Sequence, residues 1–204
     1  MPKIETPESK ILVYGLADGS AERNRLKELA NAKGIQLVTV EKKDFNQKLG
    51  YLANLDKFEA IDGEYQGEDP SHSIIWFVGI EQDDLGSILQ DYSTTEGIKP
   101  IDLKAVLTEY NVNWPINEHY EELQREHRMM NAYTFLFHAQ KAVDSLDPKD
   151  YTEESYAKLK KVVEDSIPDY LSIQQGVEIE QEVLDEHVYK IRSAYKGLLP
   201  NVDN

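Results

Sequence analysis

The chain writes one unit twice. Residues 11–40 run ILVYGL, a helix-like stretch, then KGIQLVTV, and residues 74–108 run IIWFVGI, another helix-like stretch, then EGIKPIDLKAVLT. In each copy an apolar run ends in glycine and an aliphatic residue, Gly15-Leu16 and Gly79-Ile80. A second Gly-Ile, Gly34-Ile35 and Gly97-Ile98, reopens the chain. Strand, helix, strand therefore occurs twice, and two such halves in one sheet leave few arrangements.

Ile11 to Tyr14 and Ile74 to Val78 are continuous apolar runs, the pattern of strands covered on both faces, which places both at the centre of the sheet. After Gly15, the residues Asp18, Gly19 and Ser20 make a turn and an N-cap, and Leu26, Leu29 and Ala30 mark a buried stripe at helical spacing. In the second copy Leu85, Ile88, Leu89 and Tyr92 mark the same stripe, with Asp83 and Asp84 in the first turn, where carboxylates suit the helix dipole. Residues 41–73 separate the copies, and Phe45, Leu49 and Leu52 predict a short helix within them. A helix-bearing connection of this length usually joins parallel strands. The expected fold is a small α/β unit with a mostly parallel four-stranded sheet, order 2-1-3-4, strands 1 and 3 parallel and helices on both faces. The competing arrangement is a ferredoxin-like α+β sheet, in which the second and third strands are antiparallel neighbours. Residues 62–73, DGEYQGEDPSHS, predict an exposed loop.

Composition limits the partners. The chain has 204 residues, enough for two domains, and a formal net charge of -16. An evenly acidic chain repels phosphate backbones, which argues against a nucleic-acid partner. The absence of cysteine excludes disulfides, thiolate metal sites and cysteine nucleophiles. No run of about 18 apolar residues is present, so no membrane partner is expected, and the expected location is the cytoplasm.

The fourth strand, from Lys104 to Thr108, leads into a long helix. The pattern of Lys104, Ala105, Thr108, Asn111 and Trp114, with Leu123 and Glu126 on the next helix, resembles a family of small bacterial domains classed as of unknown function. The resemblance spans about residues 10–128, with Pro115 and Ile116 where a more polar helix start is usual. It implies no reaction and no catalytic residues. Read physically, Thr108 and Asn111 satisfy loose backbone groups in a turn, and Trp114 covers the open end of a core. A ligand role for Lys104, Thr108, Asn111 and Trp114, beside Gly15 and Gly79 at the strand ends, requires their convergence on one cleft.

From Asn117 to Leu146 there is neither glycine nor proline, and the apolar stripe changes phase. Tyr120, Leu123, His127 and Met130 form one line; Ala132, Leu136, Ala139, Val143 and Leu146 form another. Such a stripe packs on two bodies, which predicts domains at 1–128 and 129–204. Two further helices are marked by Tyr156, Leu159, Val163, Ser166 and Tyr170, and by Leu184, Val188, Ile191, Tyr195 and Leu198, a spacing that suits an antiparallel three-helix bundle. Thr152 is an N-cap, and Pro168 kinks or shortens the middle helix. Ala139, Ala142, Leu146, Tyr151-Thr152, Ser155, Leu159, Leu184-Asp185, Ile191, Ala194 and Leu198 make this region resemble a FIVAR module. Modules of that family are associated with binding and spacing; His187 and Ser166 depart from the pattern.

Catalytic and metal-binding patterns are sparse. His119 and Glu122 share a helix face, but His127 lies eight residues further on, about 12 Å along the axis, too far for one ion. Asp18, Asp83 and Asp84 would hold a divalent cation if both glycine turns faced one crevice. GLADGS lacks both the dinucleotide fingerprint and the P-loop lysine. The expectation is a non-enzymatic binding or adaptor protein for a protein or small-molecule ligand, with no cofactor. Its alternative is a metal-dependent enzyme or sensor built on Asp18, Asp83 and Asp84.

Overall fold

The computed structural model describes residues 8–201. Its contacts divide the chain into two compact units, Met1–Gln124 and Arg125–Asn204. The first contains β1 (Lys10–Tyr14), α1 (Ala21–Ala32), β2 (Gln36–Thr39), a 3-10 turn at Lys42–Asn46, α2 (Leu49–Leu52), β3 (Ile74–Val78), α3 (Gln82–Ser93), β4 (Leu103–Val106) and the start of α4 (Ile116–Ser145). Among the described residues no helix is long and apolar enough to cross a membrane.

The strands lie in the order β2-β1-β3-β4. β1 and β2 are parallel, as are β3 and β4, so each copy of the repeat forms its own parallel pair and the sheet is mixed but mostly parallel. The central pair differs from expectation: β1 and β3 run antiparallel, with Lys10 opposite Val78 and Tyr14 opposite Ile74. The connection between the copies explains the reversal. β2 ends and β3 begins at the same end of the sheet, so residues 40–73 make an excursion across one face rather than a crossover along it. Their 3-10 turn and the single turn of α2 bury Phe45 and Leu49 against Trp76 and Ile116 without travelling the length of a strand. The ferredoxin-like alternative also fails, because β2 and β3 are not neighbours.

Alternation along β3 supplies both faces. Ile75 and Phe77 join Ile11, Val13, Leu26, Leu29 and Ile88 beneath α1 and α3. Ile74, Trp76 and Val78 join Leu12, Phe45, Leu49, Ile116 and Tyr120 on the opposite face. Ser20 caps α1 by accepting a hydrogen bond from the Arg23 N–H at 3.2 Å, whereas Glu81 gives α3 no side-chain cap. The loop at 62–73 is largely exposed, as its composition predicts.

Gly15 is required by its surroundings. Its φ is +81°, and an added Cβ would lie 2.8 Å from the Ser73 Cα, inside any tolerable contact. Gly34 has φ +71° with open space around the same position. Both substitutions by alanine enter the left-handed region, at about 1–2 kcal/mol, but only Gly15→Ala must also displace backbone. We expect Gly34→Ala to cost about 1 kcal/mol and Gly15→Ala at least about 2 kcal/mol more, measured by urea unfolding; equal costs would contradict the close approach to Ser73.

The second unit contains the rest of α4, a 3-10 turn at Pro148–Asp150, α5 (Glu153–Glu164), α6 (Ile167–Gln174) and α7 (Gln181–Lys196). Ala132, Leu136, Val143, Leu159, Val163, Tyr170, Leu184, Ile191 and Ala194 form its core. The two phases of the α4 stripe thus serve two cores, with Ile116, Tyr120 and Leu123 in one and Ala132, Leu136 and Val143 in the other. Two stripe members depart from expectation, since Met130 is 52% and Tyr195 49% exposed. Thr152 caps α5, accepting from the Ser155 N–H. Pro168 stands in the first turn of α6, where its missing N–H is harmless, so the middle helix is broken in two rather than kinked. Ser166, fully buried at the break, donates to the Val163 carbonyl at 2.7 Å, and His187 Nε2 meets Asp169 Oδ2 at 2.7 Å between α7 and α6.

Candidate functional site

The antiparallel centre separates the two glycine turns. Gly15 follows β1 at one end of the sheet and approaches Ser73; Gly79 follows β3 at the other, where its carbonyl accepts from Ser9 Oγ at 2.6 Å. The acidic trio is divided in the same way. Asp18 precedes α1 and pairs with Arg23 at 2.7 Å, while Asp84 pairs at 2.6 Å with Lys33, which follows α1. A 12-residue helix is about 18 Å long. Asp18 and the Asp83-Asp84 pair therefore do not meet, and the single crevice expected at the strand ends is absent. Among the described residues no group of three or more histidine, cysteine, aspartate or glutamate side chains is placed to hold a metal.

Lys104, Thr108, Asn111 and Trp114 do not converge either. Thr108 and Asn111 close a turn on themselves: the Thr108 N–H donates to Asn111 Oδ1 at 2.8 Å, and Asn111 Nδ2 donates to the Val106 carbonyl at 2.9 Å. Trp114 is 39% exposed and meets the His119 ring edge-on, 5.7 Å between centroids, on the α2 and α4 side of the sheet. Lys104 lies on the other side, because β4 alternates and Leu103 and Ala105 belong to the α2 and α4 face.

What the sequence did not reveal is the environment of His119. The residue is buried, and its Nδ1 accepts from the Trp76 indole N–H at 3.1 Å. An indole nitrogen only donates, so the neutral ring carries its own proton on Nε2. Burial lowers the His119 pKa from 6.5 to about 4, against a smaller opposing pull from Glu122. One signal was available: His119 falls between Ile116 and Tyr120, both on the buried stripe of α4.

Lys104 opens onto a groove of about 510 Å³ between α3 and the β4 edge. Ile75, Phe77, Leu89, Ile98 and Ile101 supply apolar walls. Gly86 and Ser93 contribute little bulk from α3, and nothing lies within 4 Å of where a Gly86 side chain would begin. Tyr92 lies at the groove and donates to the Lys99 carbonyl at 3.2 Å; burial, and then Glu22, push its pKa up to about 12, so it remains a donor. The Lys104 ammonium donates to the Ile101 carbonyl at 2.7 Å, which uses one of its three protons.

β4 is an edge strand. Leu103 and Leu107 donate to the Ser73 and Phe77 carbonyls, so the peptide groups of Lys104 and Val106, between them, point away from the sheet. Asn111 occupies the Val106 carbonyl. The Lys104 N–H and carbonyl and the Val106 N–H face outward, and Lys104 also lines the groove.

The site therefore belongs to a mixed α/β unit with an open edge and an adjoining apolar groove. Residues 73–130, from β3 into α4, match the model described as Domain of unknown function (DUF3783). No curated protein matches the chain, and no solved structure does.

Proposed function

We propose that the chain is a binding protein whose α/β unit captures an extended polypeptide segment along β4. The observation that carries this reading is the run of outward peptide groups on Lys104 and Val106, one of which, Lys104, also lines the apolar groove. Strand addition draws affinity from main-chain hydrogen bonds and selectivity from pockets that take alternate side chains. One apolar side chain of the segment would fill the groove, and an acceptor beside it would take the two spare Lys104 protons. Binding rather than catalysis is also supported by the use of Asp18 and Asp84 in structural ion pairs with Arg23 and Lys33.

The helical unit is read as a FIVAR-type three-helix module offering a second surface, so that the whole acts as an adaptor. Burial of Leu159, Leu184, Ile191 and Ala194 at the motif positions supports that assignment. The proposed setting is the cytoplasm of a bacterium, in keeping with an acidic chain free of cysteine.

The test is selection of peptides from a random library on the full chain. Val106→Pro removes an outward N–H and no bond of the ladder, and Gly86→Leu fills the groove from a helix position with open space. Gly86→Leu is expected to raise stability by about 0.5–1 kcal/mol, because interior glycine weakens a helix. Each variant is expected to weaken the selected peptides at least tenfold. Failure to select any peptide, or peptides indifferent to both variants, would overturn the reading.

A further inference from the structure

The helical unit holds a second groove, of about 510 Å³, between α4 and α7. Ala139, Ala142, Leu159 and Ile191 form its floor, and the rings of Phe135 and Tyr195 line it. The volume and apolar lining are those of small-molecule sites. The two alanines leave the space open: longer side chains at these positions of α4 would occupy it.

The charge around this groove runs against that of the chain. The sequence has 38 Asp and Glu against 22 Lys and Arg, yet the lining holds Arg192, Lys196 and His138 and no carboxylate. Arg192 and Lys196 lie four residues apart on α7, hence on one face. The Arg192 guanidinium sits over the Phe135 ring, 5.0 Å from its centroid. Elsewhere in the unit Lys160, Lys190 and Arg125 each pair with a glutamate, but among the described residues neither Arg192 nor Lys196 has an ion-pair partner.

We propose that this groove binds a small amphipathic anion, its apolar body between Phe135 and Tyr195 and its carboxylate on Arg192 and Lys196. Charge complementarity selects this occupant. A net charge of -16 attracts cationic amphiphiles and repels anionic ones. Preference for the anion therefore has to come from a local cationic site.

Calorimetric titration of the full chain with dodecanoate and with dodecylammonium, both below their micellar concentrations, tests the proposal. One dodecanoate per chain is expected, bound at least tenfold tighter than the ammonium. Arg192→Gln combined with Lys196→Gln should weaken dodecanoate about tenfold or more, since both heads lose charged hydrogen bonds. Ala142→Leu should weaken it comparably by filling the groove. The Arg192 and Lys196 variants alter exposed side chains, so they remain informative should Ala142→Leu fail to fold. Ammonium binding as tight as carboxylate, no saturable dodecanoate site, or affinity unchanged in the variants would overturn the proposal. So would sedimentation showing that the groove is filled by a second copy of the chain.

Discussion

Replacing Trp76 with alanine is expected to destabilise the α/β unit by about 4 kcal/mol. Trp76 is fully buried on the central strand β3, between Leu12, Phe45 and Ile116. Truncation loses the transfer energy of the indole and leaves a cavity in a face built of rigid strand residues. It also orphans the His119 Nδ1, a buried acceptor whose donor is gone, at about a further 1 kcal/mol. Trp76→Phe keeps most of the packing and removes the same donor, so its expected cost is about 1–2 kcal/mol. The comparison divides packing from hydrogen bonding. Both tryptophans of the chain, Trp76 and Trp114, lie in the first unit, so in either variant Trp114 fluorescence reports denaturation of that unit alone. A loss below about 1 kcal/mol for the alanine would contradict the buried role given to Trp76.

Acid is expected to destabilise the same unit through His119. The folded pKa, about 4, lies below the ordinary 6.5 because burial disfavours the charged ring. Between those values the unfolded chain binds a proton that the native state does not, so stability rises with pH across the window. The contribution is complete above pH 6.5 and is lost as pH falls towards 4, amounting to about 3 kcal/mol in all. Carboxylates also titrate at the acid end, so the measurement is a difference. Between pH 7 and 4.5 the native protein should lose about 2.5 kcal/mol more than His119→Gln, which has no such group to protonate. Parallel pH profiles for the two would show that His119 is hydrated or already charged in the native state.

Much of the architecture was legible in the chain. The paired glycines after Tyr14 and Val78 marked the strand ends, and the uninterrupted apolar runs marked β1 and β3 as central. Local signals suffice there, because capping, turn conformation and two-sided burial each act over a few residues. The phase change in α4 likewise announced two cores before either was visible. The site was less legible. Lys104, Thr108 and Asn111 are close in sequence but fall on a strand face and in a self-contained turn, and strand alternation places Lys104 away from Trp114. The groove beside Lys104 draws on α1, β3, α3 and the segment 98–101, so no local window contains it.

The sequence by itself determined the doubled strand-helix-strand unit, the N-caps at Ser20 and Thr152 and most of the residues that face each core, since all follow from short-range periodicity and backbone preference. Only the tertiary structure decided the direction of β3 against β1. That direction depends on how residues 40–73 pack Phe45 and Leu49 on the sheet, a long-range choice with no local signature. It turns the two glycine ends away from each other and parts Asp18 from Asp83 and Asp84.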